Sequence, residues 1–222
     1  MKTPTPLELG VAFGAVIAIA LLARRASAGS SSRPGGGTAP GSSSSDASRP
    51  SSASPPPARL LSSADMDRLF GPMPWTRVDG DESAIIIDPT WKSANLGAIE
   101  IPQLRGVQGA PSSGRVTFHR ALGPRVRDLF AAWESAGLLS LVRTWDGSFS
   151  ERRIRGRDTV SKHAYGAAFD INAAWNKLGA EPAPVGAEGT VIPLVALAQE
   201  HGFAWGGNFK GRKDAMHFEA FR

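Results

Sequence analysis

The sequence predicts an α+β fold with a small, mainly antiparallel sheet flanked by helices, and three observations lead there. Helix-spaced and strand-spaced apolar residues both occur along residues 60–222, without the regular strand–helix–strand rhythm of a parallel sheet. Short segments near the C-terminal end alternate apolar and polar residues as strands do. The first quarter of the chain offers almost nothing to bury, so one domain of ordinary size is confined to residues 59–222.

The elements can be justified in order. Residues 7–23 form an apolar run that as a helix rises about 25 Å, a little short of a ~30 Å hydrocarbon core. Residues 1–28 therefore read as a membrane-targeting segment. Ala26-Ser27-Ala28 offers an A-x-A cleavage pattern, whereas Arg24 and Arg25 suit an anchor better than a signal peptide. The same arginines outweigh Lys2, and the positive-inside rule then points the following domain toward the cytoplasm. The expected location is membrane-anchored or exported to the cell envelope, with the orientation open. Residues 29–58 are nearly all Ser, Gly, Pro and Ala, a disordered linker reaching roughly 30 Å as a flexible coil.

In the domain, Ser62-Ser63-Ala64-Asp65 caps a short helix over residues 66–70. Residues 84–87, 96–101 and 115–119 are candidate strands. Residues 124–139 place Val126, Leu129, Phe130, Trp133 and Leu138 on one helical face, with Gly137 as the stop. A strand is expected over 139–145, running into the turn at Asp146-Gly147. A second helix spans 192–201, tolerating Pro193 in its first turn and ending at Gly202. Strands are expected over 167–172, 203–205 and 216–221.

Composition narrows the chemistry. There is no cysteine, so disulfides and thiolate metal sites are excluded, and any metal must be held by His, Asp or Glu. The net charge is +5, with local groups at Arg152, Arg153, Arg155, Arg157 and at Lys210, Arg212, Lys213. No nucleic-acid motif accompanies them, so a soluble basic surface is expected rather than a nucleic-acid partner. The arginine group can also attract the carboxylates of an anionic peptide.

Two segments carry candidate chemistry: Ser161-Lys162-His163-Ala164-Tyr165-Gly166-Ala167-Ala168-Phe169-Asp170 and Asp214-Ala215-Met216-His217-Phe218-Glu219. A fully extended chain would hold His163 and Asp170 more than ~20 Å apart, but Gly166 lets it turn between them. His217 and Glu219 share a strand face by alternation. Catalytic zinc takes three His or carboxylate ligands and keeps one position for water, a requirement that His163, Asp170 and His217 fill. The metal supplies an activated water and a polarised carbonyl, and a further carboxylate such as Asp214 moves the proton. The same residues also fit a structural hydrogen-bonded His–Asp network with no metal. His119 reads as a structural strand histidine or a residue bordering the cleft. His201 reads as a cap on helix carbonyls, Glu219 as a carboxylate orienting a ligand histidine or an ordinary strand residue, and Lys162 as solvent-facing. Trp205, Gly206 and Gly207 shape a cleft floor.

The string S-x-H-x-x-G-x-A-x-D-I-N, followed by G-F-x-W-G-G and D-x-x-H-F-E, resembles the M15 group of zinc peptidases. That group includes D-alanyl-D-alanine carboxypeptidases and dipeptidases, and the L-alanyl-D-glutamate endopeptidases of phage endolysins. Asp in place of the Glu of E-x-x-H is similar to the endolysin-like branch. The resemblance covers residues 139–222 and reaches more loosely back to Leu69. It implies a Hedgehog/D,D-peptidase-like fold, Zn2+ held by His163, Asp170 and His217, and Asp214 as catalytic base. It also implies an upstream Arg for the oxyanion, for which Arg152 is chosen over Arg143, Arg153 and Arg155. Relatives commonly have Pro at the position of Glu151 and Asn at that of Lys162. The implied function is hydrolysis of peptidoglycan stem peptides, most simply between L-Ala and D-Glu, by a monomer held at the membrane through its N-terminal segment. D-Ala-D-Ala carboxypeptidase action and a non-catalytic zinc- or wall-binding module are the alternatives, and Asp214 is the residue a dead module would not need.

Overall fold

The computed structural model describes residues 59–221, so the expected membrane-targeting segment and linker lie outside the described residues. Among the described residues no helix is long and apolar enough to cross a membrane. The first helix, α1 (Ser63–Phe70), begins with a reciprocal cap: Ser62 Oγ accepts from Asp65 N at 3.2 Å and the Asp65 carboxylate accepts from Ser62 N at 3.0 Å. Strands β1 (Trp75–Val78) and β2 (Asp81–Ile87) form an antiparallel hairpin. Helix α2 (Pro89–Asn95) is capped by Asp88, which accepts from Trp91 N at 2.9 Å. Strands β3 (Leu96–Glu100) and β4 (Arg115–His119) make a second antiparallel pair.

Helix α3 (Gly123–Ser135) buries Val126, Leu129, Phe130 and Trp133. It ends in a paired backbone cap, Leu138 N to Trp133 O and Gly137 N to Glu134 O, with Gly137 at φ +71°. The remaining elements are β5 (Trp145–Gly147), β6 (Ala168–Ile171), α4 (Val195–Glu200), β7 (Phe203–Trp205) and β8 (His217–Ala220). Four strands form the central sheet in the order β5-β6-β8-β7, every neighbouring pair antiparallel. This is the α+β class expected, with its helices around small antiparallel sheets.

Register divides that sheet into two unlike faces. Across β6 and β8 the partners are Ala168 with Glu219, Phe169 with Phe218, and Asp170 with His217. Side chains alternate along a strand, so Phe169 and Phe218 share one face while Asp170, His217 and Glu219 share the other. On the first face Phe169 stacks between Phe218, at 5.3 Å and 8°, and Trp145, at 5.7 Å and 11°. Phe130 and Trp133 of α3 meet this stack at angles of 53–71°. Trp133 Nε1–H donates to Leu194 O at 3.0 Å, so its polar edge is satisfied inside the core. Burying each such ring contributes about 1.5–3 kcal/mol, enough to fix which face turns inward.

Two expected elements differ from those found. Residues 139–145 do not run as a strand: Leu139–Leu141 is a 3-10 turn, and strand β5 begins only at Trp145, after an isolated bridge from Thr144 to Gln108. The reason is Asn172, which sits fully buried at φ +56°. Its Oδ1 accepts from Arg143 N and Thr144 N at 2.8 and 3.0 Å, and its Nδ2 donates to Leu141 O at 2.7 Å. One side chain therefore supplies the bonds a strand neighbour would have made. The expected 192–201 helix starts as a 3-10 turn over Ile192–Leu194 and becomes α-helical only at Val195.

Candidate active site

His163 lies in a turn over residues 162–166, closed by Gly166 N to His163 O and Ala167 N to Lys162 O, both 3.0 Å. Gly166 adopts φ +64°, and its carbonyl accepts from His119 N of β4 at 2.8 Å. A Cβ there would lie 2.6 Å from that same nitrogen, so both the conformation and the approach to β4 require glycine. The turn folds His163 back over β6, against Asp170. His217 is the cross-strand partner of Asp170, which brings the third side chain alongside.

The three donor atoms form a small triangle. His163 Nε2 lies 3.1 Å from His217 Nδ1, His217 Nδ1 lies 2.9 Å from Asp170 Oδ1, and His163 Nε2 lies 3.3 Å from Asp170 Oδ1. Tetrahedral zinc with bonds of ~2.0–2.1 Å spaces its ligand atoms about 3.3–3.4 Å apart. The triangle is that size, slightly tightened.

The outer partners set the protons. His163 Nδ1 faces the Ser148 carbonyl at 3.2 Å, an acceptor only, so this nitrogen donates and Nε2 keeps its lone pair. His217 Nε2 faces Glu219 Oε2 at 3.1 Å, so it donates there and Nδ1 keeps its lone pair. Two imidazole lone pairs and a carboxylate oxygen then point at one another. A proton on His217 Nδ1 serves at most two edges of the triangle and leaves two acceptors facing across the third. A metal ion serves all three. The local field favours positive charge in either case. Burial alone would depress His217, but Asp170 and Glu219 outweigh it and hold its pKa up to about 10. Burial likewise works to raise Asp170, yet the two imidazoles packed against its carboxylate keep it well below the ordinary carboxylate range.

Asp214 stands in the loop before β8. Its N–H donates to Gly206 O and its carbonyl accepts from His217 N, both at 3.1 Å. A Cβ on Gly206 would fall 2.3 Å from the Asp214 carbonyl oxygen, so that glycine exists to let this backbone approach. Asp214 Oδ1 is buried with no protein hydrogen-bond partner. Burial is the largest influence on its proton affinity and raises it, Asp170 adds to the rise, and His217, His163 and Arg152 oppose it. A carboxyl that holds its proton more tightly than usual is suited to general base and acid work.

The arginines separate by their partners. Arg153 is buried and gives Nη1 to Asp158 at 2.6 Å, and Arg143 pairs with Glu188 at 3.6 Å. Arg155 and Arg157 are exposed. Arg152 is half-buried, and of these five it is the one whose charge acts on Asp214.

Other candidates resolve as follows. His119 is buried against Phe70 at 4.4 Å, and its Nδ1 accepts from Ala121 N, a structural role. Burial lowers its pKa to about 4. His201 donates from Nδ1 to Leu197 O at 2.8 Å, capping α4. Lys162 does not face solvent: it is half-buried and its Nζ donates to Leu61 O, which the apolar body of a long side chain permits. Trp205 packs on the aromatic face, its Nε1 donating to Ala215 O at 2.7 Å, and Gly207 lies flat on its ring. Two contributors carried no sequence signal. Ser148 acts through its carbonyl, which any residue owns. Phe209 places its ring 6.2 Å from that of His217, and it also lines a separate groove of about 1440 Å³ whose walls include none of His163, Asp170, Asp214 and His217.

Among known proteins, the family model described as D-alanyl-D-alanine carboxypeptidase, of the M15 peptidases, matches residues 155–220. The resemblance carried by the motifs is thereby shown over the segment that holds His163, Asp170, Asp214 and His217. No curated protein and no solved structure matches the chain.

Proposed function

We propose that this chain, which resembles M15 peptidases over residues 155–220, is a zinc metallopeptidase that hydrolyses peptidoglycan stem peptides between L-Ala and D-Glu. A peptidoglycan-related peptidase is what the family match supports in general. The observation that carries the finer reading is the convergence of three lone pairs beside a half-buried carboxyl whose Oδ1 has no protein hydrogen-bond partner.

His163, Asp170 and His217 would hold the metal, with the Ser148 carbonyl and Glu219 orienting the two imidazoles. When bound there, zinc supplies Lewis acidity toward the scissile carbonyl and lowers the pKa of water. Asp214 accepts the proton of the attacking water at its carboxylate and delivers it to the leaving amine, for which its raised proton affinity is the right adjustment. Arg152 offers guanidinium N–H groups to the oxygen on which negative charge develops. Residues 1–28 and 29–58 are proposed to tether the domain to the membrane or direct it to the envelope.

The second reading, release of terminal D-Ala, is favoured by the matched family's description, whereas Asp in D-x-x-H favours the endopeptidase branch. Digestion of defined muropeptides by the zinc-loaded protein, with products identified by mass spectrometry, separates them. The proposal expects a peptide beginning at D-Glu. Free D-Ala alone moves the assignment to a carboxypeptidase, and an uncut set of muropeptides overturns the enzymatic reading.

A further inference from the structure

The segment bearing Arg152 has no regular structure and crowds four arginines into residues 152–157, which repel one another. Its position is nevertheless fixed, and the partners that hold it from the β1–β2 hairpin and α2 lie outside the matched family segment. Arg152 forms an isolated bridge with Ala84 of β2, made by Ile85 N to Glu151 O at 3.1 Å and Arg153 N to Ser83 O at 2.7 Å. The Glu151 carboxylate spans two partners: one oxygen accepts from Ile87 N at 2.9 Å, the other from Lys92 Nζ of α2 at 2.7 Å. Asp158 ties Arg153 to Arg77 of β1, at 2.6 and 2.9 Å. On the opposite side Ser161 N donates to Arg152 O at 3.0 Å, joining the segment to the turn that carries His163. Arg152 is thus suspended between the N-terminal hairpin and the metal-site turn.

We propose that Glu151 and Lys92 are a positioning pair for Arg152, making the β1–β2 hairpin and α2 working parts of the peptidase. This rests on the proposed role of Arg152. The chemistry is one of competition. Glu151 is the chain neighbour of Arg152, and a free carboxylate there is a natural partner for its guanidinium. With Lys92 and Ile87 N each engaging one oxygen, Glu151 is held away from Arg152, whose Nη1 instead donates to Arg153 O at 3.4 Å. The pair is half-buried, 31 % and 28 % exposed at the side chains, so it is screened less than a surface pair. Glu151 stays ionised in this setting: burial opposes it, but the Ile87 hydrogen bond and Lys92 prevail.

The test uses the full-length protein and the muropeptide that wild type cuts. Lys92→Met should lower kcat on the order of ten- to a hundred-fold, the loss typical of a misplaced catalytic group, with KM and bound zinc unchanged. Lys92→Arg should restore most of it. In an Arg152→Ala background, Lys92→Met should cost nothing further, because a positioning residue is silent once its target is gone. Losses that multiply in the double variant, or a kcat loss that follows zinc content or Tm, overturn the proposal. A wild type that cuts nothing counts against the peptidase reading instead. The positioning claim is then judged by NMR: Lys92→Met should shift the Arg152 Nε–H resonance and leave the His217 ring signals in place. An unmoved Arg152 signal contradicts it.

Discussion

The two faces of the central sheet are built from the same few residues of β6 and β8, taken alternately. Phe169 and Phe218 bury a stacked aromatic layer against α3, while Asp170, His217 and Glu219 present donors and charge on the other side. A slip of one residue in the β6–β8 register would exchange the two sets, burying charge in the core and exposing the rings. The aromatic face therefore sets the geometry of the chemical face. Its packing holds the register that places Asp170 opposite His217, and the Gly166 turn then needs to deliver only His163.

This contrast is open to attack from either side. The largest effect belongs to the proposed metal donors: Asp170→Ala should abolish turnover and zinc retention together, while circular dichroism keeps the native signature. Retained zinc in that variant would remove Asp170 from the site. Asp214→Asn comes next, with kcat falling about 10²–10⁴-fold at unchanged zinc content, the range for a lost general base. A variant that loses zinc instead would make Asp214 a ligand. On the opposite face Phe169→Ala should cost roughly 3–5 kcal/mol in denaturant unfolding, with kcat per folded molecule largely kept. A matching collapse of kcat in the folded fraction would show that the faces are not separable. Glu219→Gln should weaken zinc binding about 10–100-fold without changing stability much, since it touches His217 and not the core.

The smallest effect concerns His119, which lies on neither face. Its folded pKa is depressed to about 4 by burial, below the unfolded 6.5. The folded state thus prefers the neutral ring, so this contribution to stability is complete above pH 6.5 and is lost as pH falls toward 4, by about 2–3 kcal/mol. His119→Asn, which can still accept from Ala121 N, should flatten the stability profile between those values. An unchanged acid slope would assign it to other groups.

Much of this was legible from residue types and spacing. Ser62 and Asp65 announce their cap because both partners lie within one turn, and the Gly166 turn is visible because it must fold His163 back to Asp170. The donors lie in two short motifs, His163 with Asp170 and Asp214 with His217, each visible by its residue types although 47 positions separate Asp170 from His217. What escaped was long-range or carried by backbone. Ser148 orients His163 with a carbonyl that no side chain advertises. Glu151 and Lys92 meet across 59 positions of sequence. Asn172 was visible as part of D-I-N, but its effect is felt at residues 141–144, where it replaces an expected strand partner. Lys162 reads as a surface lysine by type and turns inward because a carbonyl waits there.

If His163, Asp170 and His217 converge because a metal belongs there, zinc binds at that point. Titration calorimetry of Zn2+ into chelator-stripped protein tests it directly. One equivalent per chain for wild type, and none at that affinity for His163→Ala, is the expected result. Failure of the wild type to bind zinc, or equal binding by both, would mean that His163, Asp170 and His217 are a hydrogen-bonded network and not a metal centre.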